Sequence, residues 1–142
     1  MMPRLLVLLI LGICCQLICP AQSVWDKSNM TIAKIEKDGI VRDRNNMTIG
    51  KFDSDGNVRD RNNMLTGKIE KNGIIRDRNN MTIGKVESNG TVRDKNSMLM
   101  GKVKSDETIV DRNNMIIGYI KDVPIAYAAV FFFFDMFAKC EY

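Results

Sequence analysis

From Asp26 onward the apolar positions keep a fixed beat: Met30, Met47, Met64, Met81, Met98 and Met115 stand 17 residues apart, with a similar order of side chains around each. The unit reads D-R-N-N-M-T-I-G-K-I-E-K-D-G-I-V-R and is nearly intact at Asp43 to Arg59, Asp60 to Arg76 and Asp77 to Arg93. An opening copy at Asp26 to Arg42 and a drifted one at Asp94 to Val110 flank these, and a partial copy begins at Asp111. Self-similarity at a fixed period is the signature of a repeat architecture.

Within a unit, two-residue alternation puts Met47 and Ile49 on one face of a strand, followed by Gly50 and then Phe52. The slip of one residue after the glycine predicts a β-bulge or a close backbone approach at Gly50, and Gly67, Gly84, Gly101 and Gly118 hold the same place. Ala33 stands there in the first copy, which favours close approach over a need for positive φ. Next comes turn chemistry at Asp38-Gly39, Asp55-Gly56, Asn72-Gly73 and Asn89-Gly90. The fifth tip, Asp106-Glu107, lacks glycine and is expected to be the least regular. A second short strand such as Val58-Arg59-Asp60-Arg61 then returns to an Asn pair that turns the chain into the next copy. Each unit is therefore expected to be one β-hairpin.

A lone hairpin is marginal in water, so the copies must bury their Met, Ile and Val faces against one another. A linear β-solenoid would line up the methionines in a column; a ring would gather them in one central layer. The ring is favoured, because Met115 to Ile120 has the register of the first half of a unit and Val24-Trp25-Asp26 that of the second, so the two could pair and staple the ends. Whether five or six units close is left open. The predicted class is all-β: tandem hairpins in a pseudo-symmetric ring with a hydrophobic C-terminal segment.

That segment, Val123 to Ala138, breaks the repeat at Pro124 and contains Phe131-Phe132-Phe133-Phe134. It is short for a membrane span and carries Asp135. It either caps the open end of the ring, as a strand or short helix, or forms an interface through which copies self-associate. At the other terminus, Arg4, the apolar run Leu5 to Ile13 and Cys19-Pro20-Ala21 read as a signal peptide cut after Ala21. The expected layout is thus 1–21 signal peptide, 22–122 hairpin-repeat domain and 123–142 cap or interface. The mature protein would be exported: periplasmic, cell-surface or secreted. Three of four cysteines leave with the signal, so Cys140 has no partner for an internal disulfide.

Composition narrows the chemistry. The chain has 142 residues, 45% hydrophobic and 27% charged, with a formal charge of +4. Basic and acidic residues alternate, so no stripe for nucleic acid is expected. Histidine is absent, which removes the usual general base, metal ligand and pH switch together. The methionines could offer thioethers to a soft metal, but there is one per unit, and core packing is the expectation. Asp53-Ser54-Asp55-Gly56-Asn57 resembles the start of a calcium loop, yet other tips place Lys37 or Lys71 inside that cage. Asp43, Asp60, Asp77, Asp94 and Asp111 recur identically, whereas acid-base catalysis needs carboxylates in unlike environments; they read as ionic rungs or Asx turns. No catalytic, cofactor-binding or metal residues are assigned. Of the sequons at Asn29, Asn46, Asn80 and Asn89, three look like by-products of the repeat, and a glycan beside a methionine core would crowd its packing.

The motif N-N-M-T-I-G-K-I-E-K-D-G-I-V-R-D-R, after a signal peptide and before V-P-I-A-Y-A-A-V-F-F-F-F, resembles the bacterial five-fold β-flower family over about residues 22 to 138. The resemblance implies a small exported all-β protein of hairpins about a pseudo-five-fold axis and carries over no activity. The expected function is a non-catalytic exported structural or interaction protein; the alternative is a glycan-binding module using the repeated Asn/Asp/Arg rim.

Overall fold

The computed structural model describes residues 22–137; the segment expected to be a signal peptide, with Cys14, Cys15 and Cys19, and the thiol of Cys140 lie outside them. The described residues form twelve strands and one helix. Strand β1 (Gln22–Asp26) is followed by five hairpins: β2 (Thr31–Ile35) with β3 (Ile40–Asp43), β4 (Thr48–Phe52) with β5 (Asn57–Asp60), β6 (Leu65–Ile69) with β7 (Ile74–Asp77), β8 (Thr82–Val86) with β9 (Thr91–Asp94), and β10 (Leu99–Val103) with β11 (Thr108–Asp111). Strand β12 (Ile116–Lys121) leads to helix α1 (Ile125–Phe133).

The strands close into a ring in sequence order, and β12 pairs antiparallel with β1. Register identifies this seam as a sixth hairpin cut open: Gly118 faces Asp26 and Ile120 faces Val24, as Gly50 faces Asp60 and Phe52 faces Val58. The wall thus holds five intact hairpins and one shared between the chain ends.

Both connections in a unit use the same geometry. At the tip, Gly39 N–H donates to Glu36 O at 2.9 Å and Glu36 N–H to Ile40 O at 2.8 Å, with Gly39 at φ 90°. This is a type I turn closed by a left-handed residue, the arrangement of three-residue hairpin loops. Gly39 O also accepts the N–H of Phe52 in the next unit at 2.9 Å, so the tips clasp their neighbours. The glycine-free tip keeps this form: Glu107 adopts φ 69° and donates its N–H to Lys104 O at 3.0 Å, so its expected irregularity is not seen. At the opposite end the left-handed place falls to Asn46, φ 65°, and its equivalents. Asn tolerates that conformation better than most residues, which explains the Asn pair in the repeat.

The long strand carries the bulge: Val41 faces Gly50 and Arg42 faces Thr48, leaving Ile49 as the extra residue. The short-strand residues Val24, Val41, Val58, Ile75, Val92 and Ile109 are fully buried and form an inward layer, each worth about 1.5–3 kcal/mol of transfer free energy. Ile35, Phe52, Val86, Val103 and Ile120 form a second layer.

Eight strands enclose just enough space for their own side chains; twelve leave a lumen too wide to fill that way. The C-terminal segment fills it. Ala128, Ala129 and Val130 of α1 are fully buried, and Phe131 and Phe134 are 3% and 5% exposed. The segment reaches the glycine row from within: Phe132 lies against Gly118, Phe133 against Gly101, Phe134 against Gly84, Met136 against Gly67 and Phe137 against Gly50. Five large side chains occupy five glycine sockets in descending order around the wall. At the sixth place Ala33, fully buried, supplies its own methyl. Phe52 adds a stacked contact with Tyr127, centroids 4.1 Å apart, and an edge contact with Phe137 at 5.3 Å. The expected cap is therefore a plug inside the ring, and self-association through the buried Phe131 and Phe134 would require its withdrawal.

Candidate functional site

With the lumen filled, the groups open to a partner lie on the two rims and the outer wall. The methionines are the main correction to the sequence reading. Met30 is 57% exposed and the other five 64–65%, so they form no central layer. Each closes the Asn turn, as Met47 O accepting Asp43 N–H at 2.9 Å, which places it at the lip beyond the packed interior. Leu65, Leu99 and Ile116 stand exposed beside them. Between the fifth and sixth units an open recess of about 890 Å³ is lined by Met98, Met100, Asp111, Arg112, Phe132 and Phe133. The crowding argument against glycans at Asn29, Asn46 and Asn80 falls with the methionine core, since these residues are exposed on the same lip.

The repeated carboxylates are turn caps. Asp43 Oδ1 accepts the N–H groups of Asn45 at 2.9 Å and Met47 at 3.0 Å, and Asp26, Asp60, Asp77, Asp94 and Asp111 do the same. Such Asx contacts satisfy donors that a tight turn leaves unpaired. The Asp53 tip is built likewise. Its Oδ1 accepts from Asp55 at 3.0 Å and Asn57 at 3.1 Å, while Oδ2 faces Arg59 Nε at 3.4 Å.

Arginines on the short strands strap the outer wall from end to end. Arg42 donates through Nε to Glu36 at 2.6 Å and through Nη1 to Asn46 O and Thr48 Oγ1 at 3.3 and 3.1 Å. Arg76 repeats all three contacts, and Arg93 the links to its tip carboxylate and turn carbonyl. These half-exposed pairs contribute on the order of 0.2–1 kcal/mol each.

Partial burial works to raise the Asp53 carboxyl, but the N–H groups of Asn57 and Asp55 and the Arg59 guanidinium outweigh it and hold the group below its usual range. A depressed acid adds stability above its unfolded pKa and loses it as pH falls through the folded one. Asp53→Asn is accordingly expected to melt lower than the unsubstituted protein at neutral pH. The gap should narrow as the pH is lowered below the ordinary carboxylate range, as thermal melts across that interval would show.

The repeat's outward pairing changes at one place. Four hairpins set a lysine opposite an arginine: Lys34 and Arg42, Lys51 and Arg59, Lys68 and Arg76, Lys85 and Arg93. Units five and six depart, with Lys102 opposite Val110 and Tyr119 opposite Trp25. Trp25 and Tyr119 alternate with the inward Val24, Gly118 and Ile120, so their rings lie on the outer face, half-buried. Thr31 faces Trp25 on one side and Thr108 faces Tyr119 on the other. The unlike strand pairs at the ends carried this aromatic pair in plain sight in the sequence, but only the ring's closure brings its members together.

Residues 21–136 match the family described as 5-fold beta-flower protein. No curated protein and no solved structure matches the chain.

Proposed function

The chain belongs to the 5-fold β-flower family, and from that premise we propose that it is a non-catalytic exported protein that works by binding, through the outer surface of its ring. The observation that carries this reading is the plugged lumen: with Phe131, Phe134, Met136 and Phe137 packed inside, the wall and rims are the surfaces left for a partner. The repeated carboxylates support it, because each spends one oxygen on two backbone N–H groups of its own turn, a structural duty that recurs unchanged around the ring.

Glycan binding through the repeated Asn/Asp/Arg rim is less well supported, for the same reason. The arginine Nη1 groups already donate to turn carbonyls and the aspartates already cap turns. A screen of glycoside, ester and peptide substrates, with Asp43→Asn beside the intact protein, tests the non-catalytic reading. No turnover is expected from either. Turnover by the intact protein that disappears in a folded Asp43→Asn variant would overturn it.

A further inference from the structure

Four of the six units carry basic pairs on the outer wall, and the seam replaces the pair with two aromatic rings. Opposite residues of an antiparallel pair lie about 4.5–5.5 Å apart, so Trp25 and Tyr119 stand side by side on the surface. With Thr31 and Thr108 as register partners on either side, they make a row of hydroxyl, indole, phenol and hydroxyl. Neither the indole N–H nor the phenolic O–H has a protein partner among the described residues. Two half-buried rings with unused polar ends suit a ligand that is apolar on one face and rich in hydroxyls at its edge, and a pyranose has that form.

The next outward row adds charge. Ser23, two residues before Trp25 on β1, is the register partner of Lys34 on one side and Lys121 on the other. Both lysines are exposed, and neither has a carboxylate partner among the described residues. Rows two residues apart are about 6.5–7 Å from each other, the scale of one sugar ring with a substituent. We propose that the outer face of the β1/β12 seam is a binding platform for a uronate-bearing glycan. One pyranose stacks on Trp25 and Tyr119, the Thr31 hydroxyl meets its edge, and its carboxylate lies between Lys34 and Lys121. The proposal rests on the reading that the protein acts by binding and gives it a site and a ligand class.

Trp25 is the chain's one tryptophan, so its emission reports the site directly. Titrating the intact protein with tetragalacturonate is expected to give a saturable change, and the methyl ester of the same oligosaccharide a weaker one. Tyr119→Lys is the sharpest variant. Lysine stands at that place in five other strands, at Lys34, Lys51, Lys68, Lys85 and Lys102, so the fold tolerates it. If stacking matters, Tyr119→Lys weakens binding by about tenfold, the loss of one modest contact; if charge alone matters, the added cation tightens it. Lys34→Ala with Lys121→Ala should weaken binding about fivefold and flatten its dependence on salt, whereas Lys68→Ala with Lys85→Ala, on the far wall, should leave it unchanged. No saturable change with the intact protein, or tighter binding by Tyr119→Lys, overturns the site while leaving the binding reading intact. Cleavage of the oligosaccharide would instead overturn the non-catalytic reading.

Discussion

Deleting residues from Val123 onward is expected to abolish cooperative folding of the ring. The wall's two inward layers face a lumen that only the plug fills, so Val41, Val58, Ile75 and Val92, fully buried in the intact protein, would line a wet hole. The loss is far larger than a single cavity; replacing one buried phenylalanine by alanine alone costs about 3–5 kcal/mol, and the deletion removes Phe131, Phe134 and Phe137 together. The truncated chain should show no sharp thermal transition and should aggregate, while Phe131→Ala should still fold with a lowered melting temperature. Light scattering and calorimetry on both decide the matter. A truncated chain that is monomeric and melts cooperatively would show that the plug is dispensable, and would revive the reading of the phenylalanine run as an interface.

The second large effect lies on the other side of the same contact. A Cβ at Gly84 would sit 2.5 Å from Phe134 Cζ and 2.6 Å from Arg93 O, closer than real side chains approach. Gly84→Ala is therefore expected to destabilise by about 1–3 kcal/mol, and Gly84→Val by more. Part of the cost is a clash with the Phe134 ring, the rest with the Arg93 carbonyl, so combining Gly84→Ala with Phe134→Leu should cost less than the sum of the two single changes. A coupling of about 0.5–3 kcal/mol is expected for residues in direct contact. Strict additivity in denaturant titrations would mean that socket and knob do not sense each other.

The ring itself was legible in the sequence, because its evidence is local and repeated. The 17-residue period marked out each hairpin but left open whether five or six close the ring, Asp-Gly and Asn-Gly located the tips, and the half-units at Val24 and Met115 pointed to the closure that β1 and β12 make. The glycine row was legible as a close approach but not as a set of sockets. Its signal was a count: five glycines and one alanine in the wall against five large side chains from Phe132 to Phe137. The methionines misled because alternation tells which face a side chain takes and not how deep along the axis the core extends. Met47 lies past the last packed layer, so the face that is core at Phe52 is solvent at the lip. The fifth tip misled because its regularity resides in the backbone hydrogen bonds, which Glu107 can satisfy at the cost of a left-handed conformation. The aromatic pair at the seam was legible as a strand pairing but not as a surface, because its two residues are far apart in sequence and share a face only when the ring shuts.

The knobs and sockets also set an inheritance rule. Tandem copies of one short motif are prone to gain or lose whole units, and an open array would absorb the change by growing longer or shorter. Here the plug is a gauge that is not itself repeated. A duplicated copy would present six sockets to five knobs and widen the bore around an unchanged filler, while a lost copy would leave one knob with no place to seat. Copy number in this protein is thus tied to a segment outside the repeats, and a chain with a different number of petals would need a different sequence from Phe132 to Phe137 to fill it.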